Sequence, residues 1–126
     1  MQFSTLTPML YTMELKATLQ FYTNTLGFTV DTFNEEWGWL HMHSDEAKIM
    51  FSLPNSHITF DKPAFTGTFY FTVTDVDALW DKLKDTTHIY YGIENFEYGM
   101  REFAIKDNNG YILQFGQEIP ANNASH

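Results

Sequence analysis

His41 and His43 stand two residues apart, so in an extended segment both imidazoles project from one face, a spacing some metal sites use. Two ligands are too few to hold an ion, and a third would have to come from Glu102 or Gln114. Trp37 and Trp39 share the parity of the two histidines. Indole and imidazole on one strand face form a surface able to stack on a flat guest and to orient it by hydrogen bonds. Trp39 and Tyr70 offer flat stacking surfaces, each worth roughly 0.5–2 kcal/mol against a cation or an aromatic ring. His41 and Gln114 would orient the guest, and Glu102 would favour a positive charge. The plainer alternative for each is a cleft wall, or for Glu102 a cross-strand partner of Lys106 or Lys48. No Ser-His-Asp or Cys-His spacing marks a nucleophile, and a lone carboxylate such as Glu102 does not define a catalyst.

Composition narrows the chemistry further. The 126 residues contain no cysteine, which excludes disulfides, thiol catalysis and thiolate metal sites. Seven basic against 16 acidic residues give a net charge of −9. That argues against nucleic acid and anionic membranes and is compatible with a cationic ligand. No apolar run approaches the roughly 18 residues of a membrane span. Met1-Gln2-Phe3-Ser4 shows no basic and apolar secretory signal, so a cytoplasmic protein is expected. Twelve Phe, seven Tyr and three Trp are many for one small core and pose the question of whether some line a cavity.

The elements that must position these residues follow from periodicity. Leu6–Tyr11 reads as a strand. Glu14–Leu26 reads as a helix with Leu15, Leu19, Tyr22 and Leu26 on one stripe and Gly27 as its C-cap. Strands are expected over Phe28–Phe33, Trp37–His43 and Lys48–Leu53. Pro54–Thr66 is a linker. Gly67–Thr74 opens a second series. A helix capped by Thr74 or Asp75 carries Val76, Leu79, Trp80 and Leu83 on one face. Strands follow over His88–Ile93, Met100–Lys106 and Tyr111–Gly116, the last two joined by the turn Asp107-Asn108-Asn109-Gly110. Phe96 and Tyr98 fall in an irregular segment, as a lid or a dimer contact. The order is strand-helix-three strands, twice, in a single 126-residue domain. Module 1 spans about 5–53, the linker about 54–66, module 2 about 67–117 and a loose polar tail 118–126.

Parity then assigns faces. A turn at Asp45-Glu46 pairs His43 with Lys48, His41 with Met50 and Trp39 with Ser52. Leu40, Met42, Ile49, Phe51 and Leu53 form an apolar side that should meet a helix. Trp37, Trp39, His41, His43 and Met50 form a mixed side. Leu6, Pro8 and Leu10 oppose Thr7, Met9 and Tyr11. In the second series Phe69, Phe71, Phe103, Ile105, Leu113 and Phe115 oppose Thr68, Tyr70, Glu102, Ala104 and Gln114. A sheet curved around its mixed face would make an aromatic, partly polar cleft.

The text at these positions is similar to a known family. Leu19-Gln20-Phe21-Tyr22 with Leu26-Gly27-Phe28, the segment Phe71–Leu79, and Tyr98–Phe115 with its Asp107-Asn108-Asn109-Gly110 turn resemble three motifs of the glyoxalase/bleomycin-resistance/dioxygenase (vicinal oxygen chelate) superfamily, in order. The resemblance implies an α+β fold of two βαβββ modules, curved mixed sheets around a cleft, and a homodimer. Its enzymes hold a divalent metal at positions that fall here on Thr7, Met50, Thr68 and Gln114. Two hydroxyls and a soft thioether suit such an ion poorly, and one amide oxygen cannot hold it. Members without these ligands include proteins that sequester a cationic antibiotic. The expectation is therefore a non-catalytic protein without cofactor or metal that binds a cationic or aromatic small molecule. Its contacts would be Trp37, Trp39, His41 and Met50 from module 1, and Thr68, Tyr70, Glu102 and Gln114 from module 2. The alternative is a metal-dependent glyoxalase or dioxygenase with displaced ligands.

Overall fold

A computed structural model of the chain describes residues 2–55, 60–64 and 66–120. The chain divides into two compact units, residues 1–64 and 65–126. The first unit runs β1 (Met9–Tyr11), α1 (Leu15–Gln20), a π-helical turn (Phe21–Thr25), β2 (Thr29–Asn34), β3 (Trp39–Ser44) and β4 (Ala47–Ser52). The second runs β5 (Thr68–Thr72), α2 (Val76–Leu83), β6 (His88–Asn95), β7 (Met100–Lys106) and β8 (Ile112–Glu118). Each unit is a four-stranded mixed sheet, ordered β1-β4-β3-β2 and β5-β8-β7-β6. The first strand of each pairs parallel with the last, and the other pairs are antiparallel. This is the α+β fold of two βαβββ modules. Among the described residues no helix is long and apolar enough to cross a membrane.

The turn chemistry at Asp45-Glu46 sets the first hairpin. Asp45 takes a positive φ of 52°, and the register pairs Trp39 with Ser52, His41 with Met50 and His43 with Lys48, as parity requires. Leu40, Met42, Ile49 and Phe51 are buried on one face. Tyr22, fully buried, packs on Phe51 and Phe28 with ring centroids 5.2 and 5.5 Å apart. Leu53 departs from its assigned side: it lies beyond the strand end and is exposed.

The helix stripe is corrected in one respect. Leu15 and Tyr22 are buried, Leu19 and Leu26 only half-buried, and Thr18 is fully buried between them in the pattern. The buried set Leu15, Thr18 and Tyr22 keeps the i, i+3, i+7 spacing of a regular helix, and the widened π turn over Phe21–Thr25 changes the phase only beyond it, at Leu26. The Thr18 hydroxyl is satisfied there by the Glu14 carbonyl at 2.8 Å and by Thr12 Oγ1 at 2.9 Å. The helix closes as expected at Gly27, whose φ is 81°, with Phe28 N–H donating to the Tyr22 carbonyl at 2.8 Å.

In the second unit Asp75 caps α2, accepting from Ala78 N–H at 3.1 Å. Val76 and Leu83 are buried beneath it, and Trp80 meets Phe103 of β7 edge-on at 5.1 Å. The Asp107 carboxylate accepts from the Asn109 and Tyr111 amides at 2.8 and 2.9 Å, and Gly110 has φ 101°. Those bonds close the β7–β8 turn.

Four boundaries differ from expectation. β1 shrinks to Met9–Tyr11 because Pro8 lacks an amide hydrogen, although its carbonyl still accepts from Met50 at 2.8 Å. Leu6 is therefore exposed, and Thr7 lies before the ladder. Trp37 sits in the turn between β2 and β3 rather than in β3, with its amide donating to Asn34 Oδ1 at 2.9 Å. β6 extends to Asn95, so Phe96 and Tyr98 form a tight hairpin turn, closed by Phe96 N–H to the Met100 carbonyl at 2.8 Å. Glu118 belongs to β8 and the Ile119 amide bonds the Gly99 carbonyl, so the tail is anchored at its start. Residues 121–126 of that tail, and linker residues 56–59 and 65, lie outside the described residues.

Candidate functional site

The mixed face of the second sheet carries a continuous polar network. Registration places Tyr91 (β6), Ala104 (β7), Gln114 (β8) and Tyr70 (β5) in one row across all four strands. Glu102 lies one step along β7, paired with Gly116 of β8. Small residues at 104 and 116 leave space over which larger neighbours lean. Tyr70 crosses Gly116, where an added Cβ would overlap its phenol oxygen, and reaches Glu102 Oε1 at 2.8 Å. Tyr91 donates its phenol hydrogen to the other carboxylate oxygen, Oε2. Gln114 Nε2 donates to Tyr91 Oη at 2.7 Å and to Glu102 Oε2 at 3.3 Å. Thr68 Oγ1 completes the chain by donating to Gln114 Oε1 at 2.5 Å.

Three donors thus converge on one carboxylate, and the Glu102 side chain is fully buried. No lysine, arginine or histidine forms an ion pair with it among the described residues. Lys106, one of the two cross-strand partners offered as the plainer alternative, lies over the Tyr90 ring at 5.7 Å. Arg101 is tied to Asp77 at 2.9 Å and Asn95 at 3.1 Å. A buried carboxylate is tolerated when its lone pairs meet hydrogen-bond donors, and here phenols and an amide take the place of a cation.

Burial, then the bond to Glu102, pushes the Tyr91 phenol up to about 12, and the same two causes raise Tyr70 well above the ordinary phenol range. An unfolded tyrosine ionises near 10. The raised native value therefore adds stability that is fully present below pH 10 and is lost as pH rises toward 12. In an alkaline spectrophotometric titration Tyr91 and Tyr70 should both ionise late, and Tyr91→Phe should reduce the amplitude of that late phase while Tyr70 still contributes to it. An unchanged titration curve in the variant would contradict the assignment.

Gly116→Ala should evict the Tyr70 phenol from Glu102. The cost should be about 1.5–3 kcal/mol, the range for a hydrogen bond to a charged group. Tyr70→Ala should make the second substitution nearly free, a coupling measurable by urea melts of the double-mutant cycle. Full additivity would mean that Tyr70 does not need the space above Gly116.

The first sheet presents a different surface. Trp39 and His41 stack with ring centroids 6.0 Å apart, and His41 is paired with Met50, which is paired on its other side with Met9. His41 Nε2 is buried and lacks a hydrogen-bond partner among the described residues. His43 is engaged differently, its Nδ1 lying 2.8 Å from Asp31. Of the residues singled out in the sequence, Thr68, Tyr70, Glu102 and Gln114 are brought into one network. Trp39, His41 and Met50 share a face of the first sheet, and Trp37 stands apart, 78% exposed. Tyr91 was not foreseen. Strand alternation does not assign it, because the register shifts between Ile89 and Tyr91 and the Tyr90 and Tyr91 rings lie only 6.0 Å apart.

The sequence matches the family model described as Glyoxalase/Bleomycin resistance protein/Dioxygenase superfamily over residues 5–115. The chain belongs to this superfamily. Solved structures agree with its fold. The bleomycin-binding protein from bleomycin-producing Streptomyces verticillus, complexed with copper(II)-bleomycin, superposes with a TM-score of 0.71 at 22% identity, over 91% of this chain and 96% of that one. A glyoxalase/bleomycin resistance protein/dioxygenase from Nocardioides gives 0.74 at 15% identity, over 96% and 87%. TioX from Micromonospora sp. ML1 gives 0.74 at 13%, over 92% and 99%. No curated protein matches the chain.

The superfamily's enzymes imply a divalent metal, and this donor set does not fit one. The resemblance assigns the family's metal-ligand positions to Thr7, Met50, Thr68 and Gln114. The Gln114 amide oxygen is already taken by the Thr68 hydroxyl. A thioether and neutral hydroxyls are weak ligands for hard ions. Among the described residues no three His, Asp or Glu side chains gather as an ion would require.

Proposed function

We propose that this superfamily member is a non-catalytic binding protein that sequesters a cationic or aromatic small molecule. The observation that carries the reading is the fate of Gln114. It stands at the last-strand position where the family's enzymes hold their metal, yet its amide is spent on Thr68, Tyr91 and Glu102. A side chain so engaged organises a binding surface rather than a reacting centre. Tyr70, 43% exposed, offers ring surface to a guest, and Trp39 with His41 offers a second stack on the first sheet. The net charge of −9 favours approach of cations. The named ligand of the Streptomyces verticillus protein makes bleomycin the first compound to try. Resistance by sequestration, a homodimer and a cytoplasmic site belong to the same proposal.

Calorimetry with bleomycin and with other cationic aromatic compounds tests it. Binding in roughly the micromolar range, about −8 kcal/mol, is expected for at least one. Failure of every such compound overturns the reading. Sedimentation should show a dimer. Elemental analysis of the purified protein guards the other side: a stoichiometric metal lost in His41→Ala/His43→Ala would favour the metal-dependent enzyme.

A further inference from the structure

The network around Glu102 says which kind of cation the second sheet can take. Both carboxylate oxygens accept hydrogen bonds from Tyr70, Tyr91 and Gln114, and the group is fully buried. A primary ammonium or guanidinium binds a carboxylate by donating N–H bonds to it. Here no oxygen is left at the surface to accept one. The charge of Glu102 nevertheless reaches the surface through the phenols. A phenol that donates to a carboxylate becomes richer in electrons, which deepens the negative potential on its ring face. Two such phenols converge on the same carboxylate. The row continues outward: Phe96 meets Tyr91 edge-on at 5.7 Å, and Tyr98 stacks on Phe96 at 5.4 Å with planes 13° apart.

A ring face with a buried anion behind it attracts a cation that needs no hydrogen bonds and loses little hydration on leaving water. We infer that the second sheet recognises an alkylated, quaternary-type ammonium group, seated on the Tyr70 and Tyr91 rings and drawn by the buried Glu102 acting through their hydroxyls. The inference rests on the binding function proposed above and narrows it to the chemical class of the charged group. Glu102 is then a positioning residue, which touches no ligand.

Three small probes of similar shape separate the contributions. Choline carries the quaternary charge, 3,3-dimethylbutan-1-ol is its neutral isostere, and ethanolamine carries a primary ammonium. In titrations followed by NMR, choline should bind about tenfold more tightly than either of the others, as a desolvated cation–π contact allows. Shifts should appear on the Tyr70 and Tyr91 rings. Glu102→Gln keeps the shape and removes the charge, and should weaken choline about tenfold while leaving 3,3-dimethylbutan-1-ol within about twofold. If that variant does not fold, Tyr70→Phe serves, since it keeps the ring and cuts its link to the carboxylate. It should weaken choline about threefold. Equal binding of choline and its neutral isostere, tighter binding of ethanolamine, or choline affinity unmoved in the folded variants overturns the inference. If bleomycin-type compounds bind while choline does not, this inference fails and the binding function stands.

Discussion

Glu102→Leu is expected to lower the unfolding free energy by about 2–4 kcal/mol, read from urea melts at neutral pH. Two effects oppose each other. Removing a buried charge that has no cationic partner relieves a desolvation cost of several kcal/mol in principle. Against that stand the donors it leaves behind: the Tyr70 and Tyr91 hydroxyls and the Gln114 amide all aim at its oxygens. Each buried donor left without an acceptor costs about 1–3 kcal/mol. Tyr70 is partly exposed and can turn to water, so Tyr91 and Gln114 carry most of the loss. Glu102→Gln retains one carbonyl acceptor and should cost less than the leucine variant. A leucine variant as stable as the parent would mean that burial of the charge cancels the three bonds, and the network would then be held for recognition alone.

The fold was legible because its largest signals are local. Period-two alternation in Trp39–Ser44 and Ala47–Ser52, with a turn at Asp45-Glu46, fixes register pair for pair. The α2 stripe and its Asp75 cap are likewise written in consecutive residues. The site was half legible, for a physical reason. Parity places Glu102 and Gln114 on the mixed face, but a glutamate read in isolation belongs to solvent. Its burial depends on donors from β5, β6 and β8, which no local pattern brings together. Tyr91 was missed because β6 is irregular on both sides of it, with register shifts between Ile89 and Tyr91 and between Tyr91 and Glu94. Gly116 reads as a weak spot in a strand, while its real use is the space it leaves for Tyr70. Trp37 falls outside β3 because the alternation that starts the strand at Trp37 runs through Gly38. Gly38, with φ 69°, already marked a turn there.

The two faces of β7 allow stability and recognition to be separated, and Phe103→Ala is the substitution that separates them. Phe103 is fully buried on the helix side, 5.1 Å from Trp80 of α2 and 5.3 Å from Phe115 of β8. Phe115 in turn stacks on Phe71 at 5.4 Å. Emptying that position should cost about 3–5 kcal/mol, the range for deleting a buried aromatic ring. The neighbouring residue along the strand, Glu102, points to the opposite side. Backbone pairing of Glu102 with Gly116, and of Ala104 with Gln114, does not use the Phe103 ring. At a temperature where the variant remains folded, its affinity for choline should therefore stay within about threefold of the parent, as for sites that share no partner. Glu102→Gln should show the reverse, with a small stability change and a large affinity change. If Phe103→Ala weakens choline as much as Glu102→Gln does, the aromatic core transmits its packing through β7. The mixed face would then owe its geometry to the helix side as well as to its own hydrogen bonds.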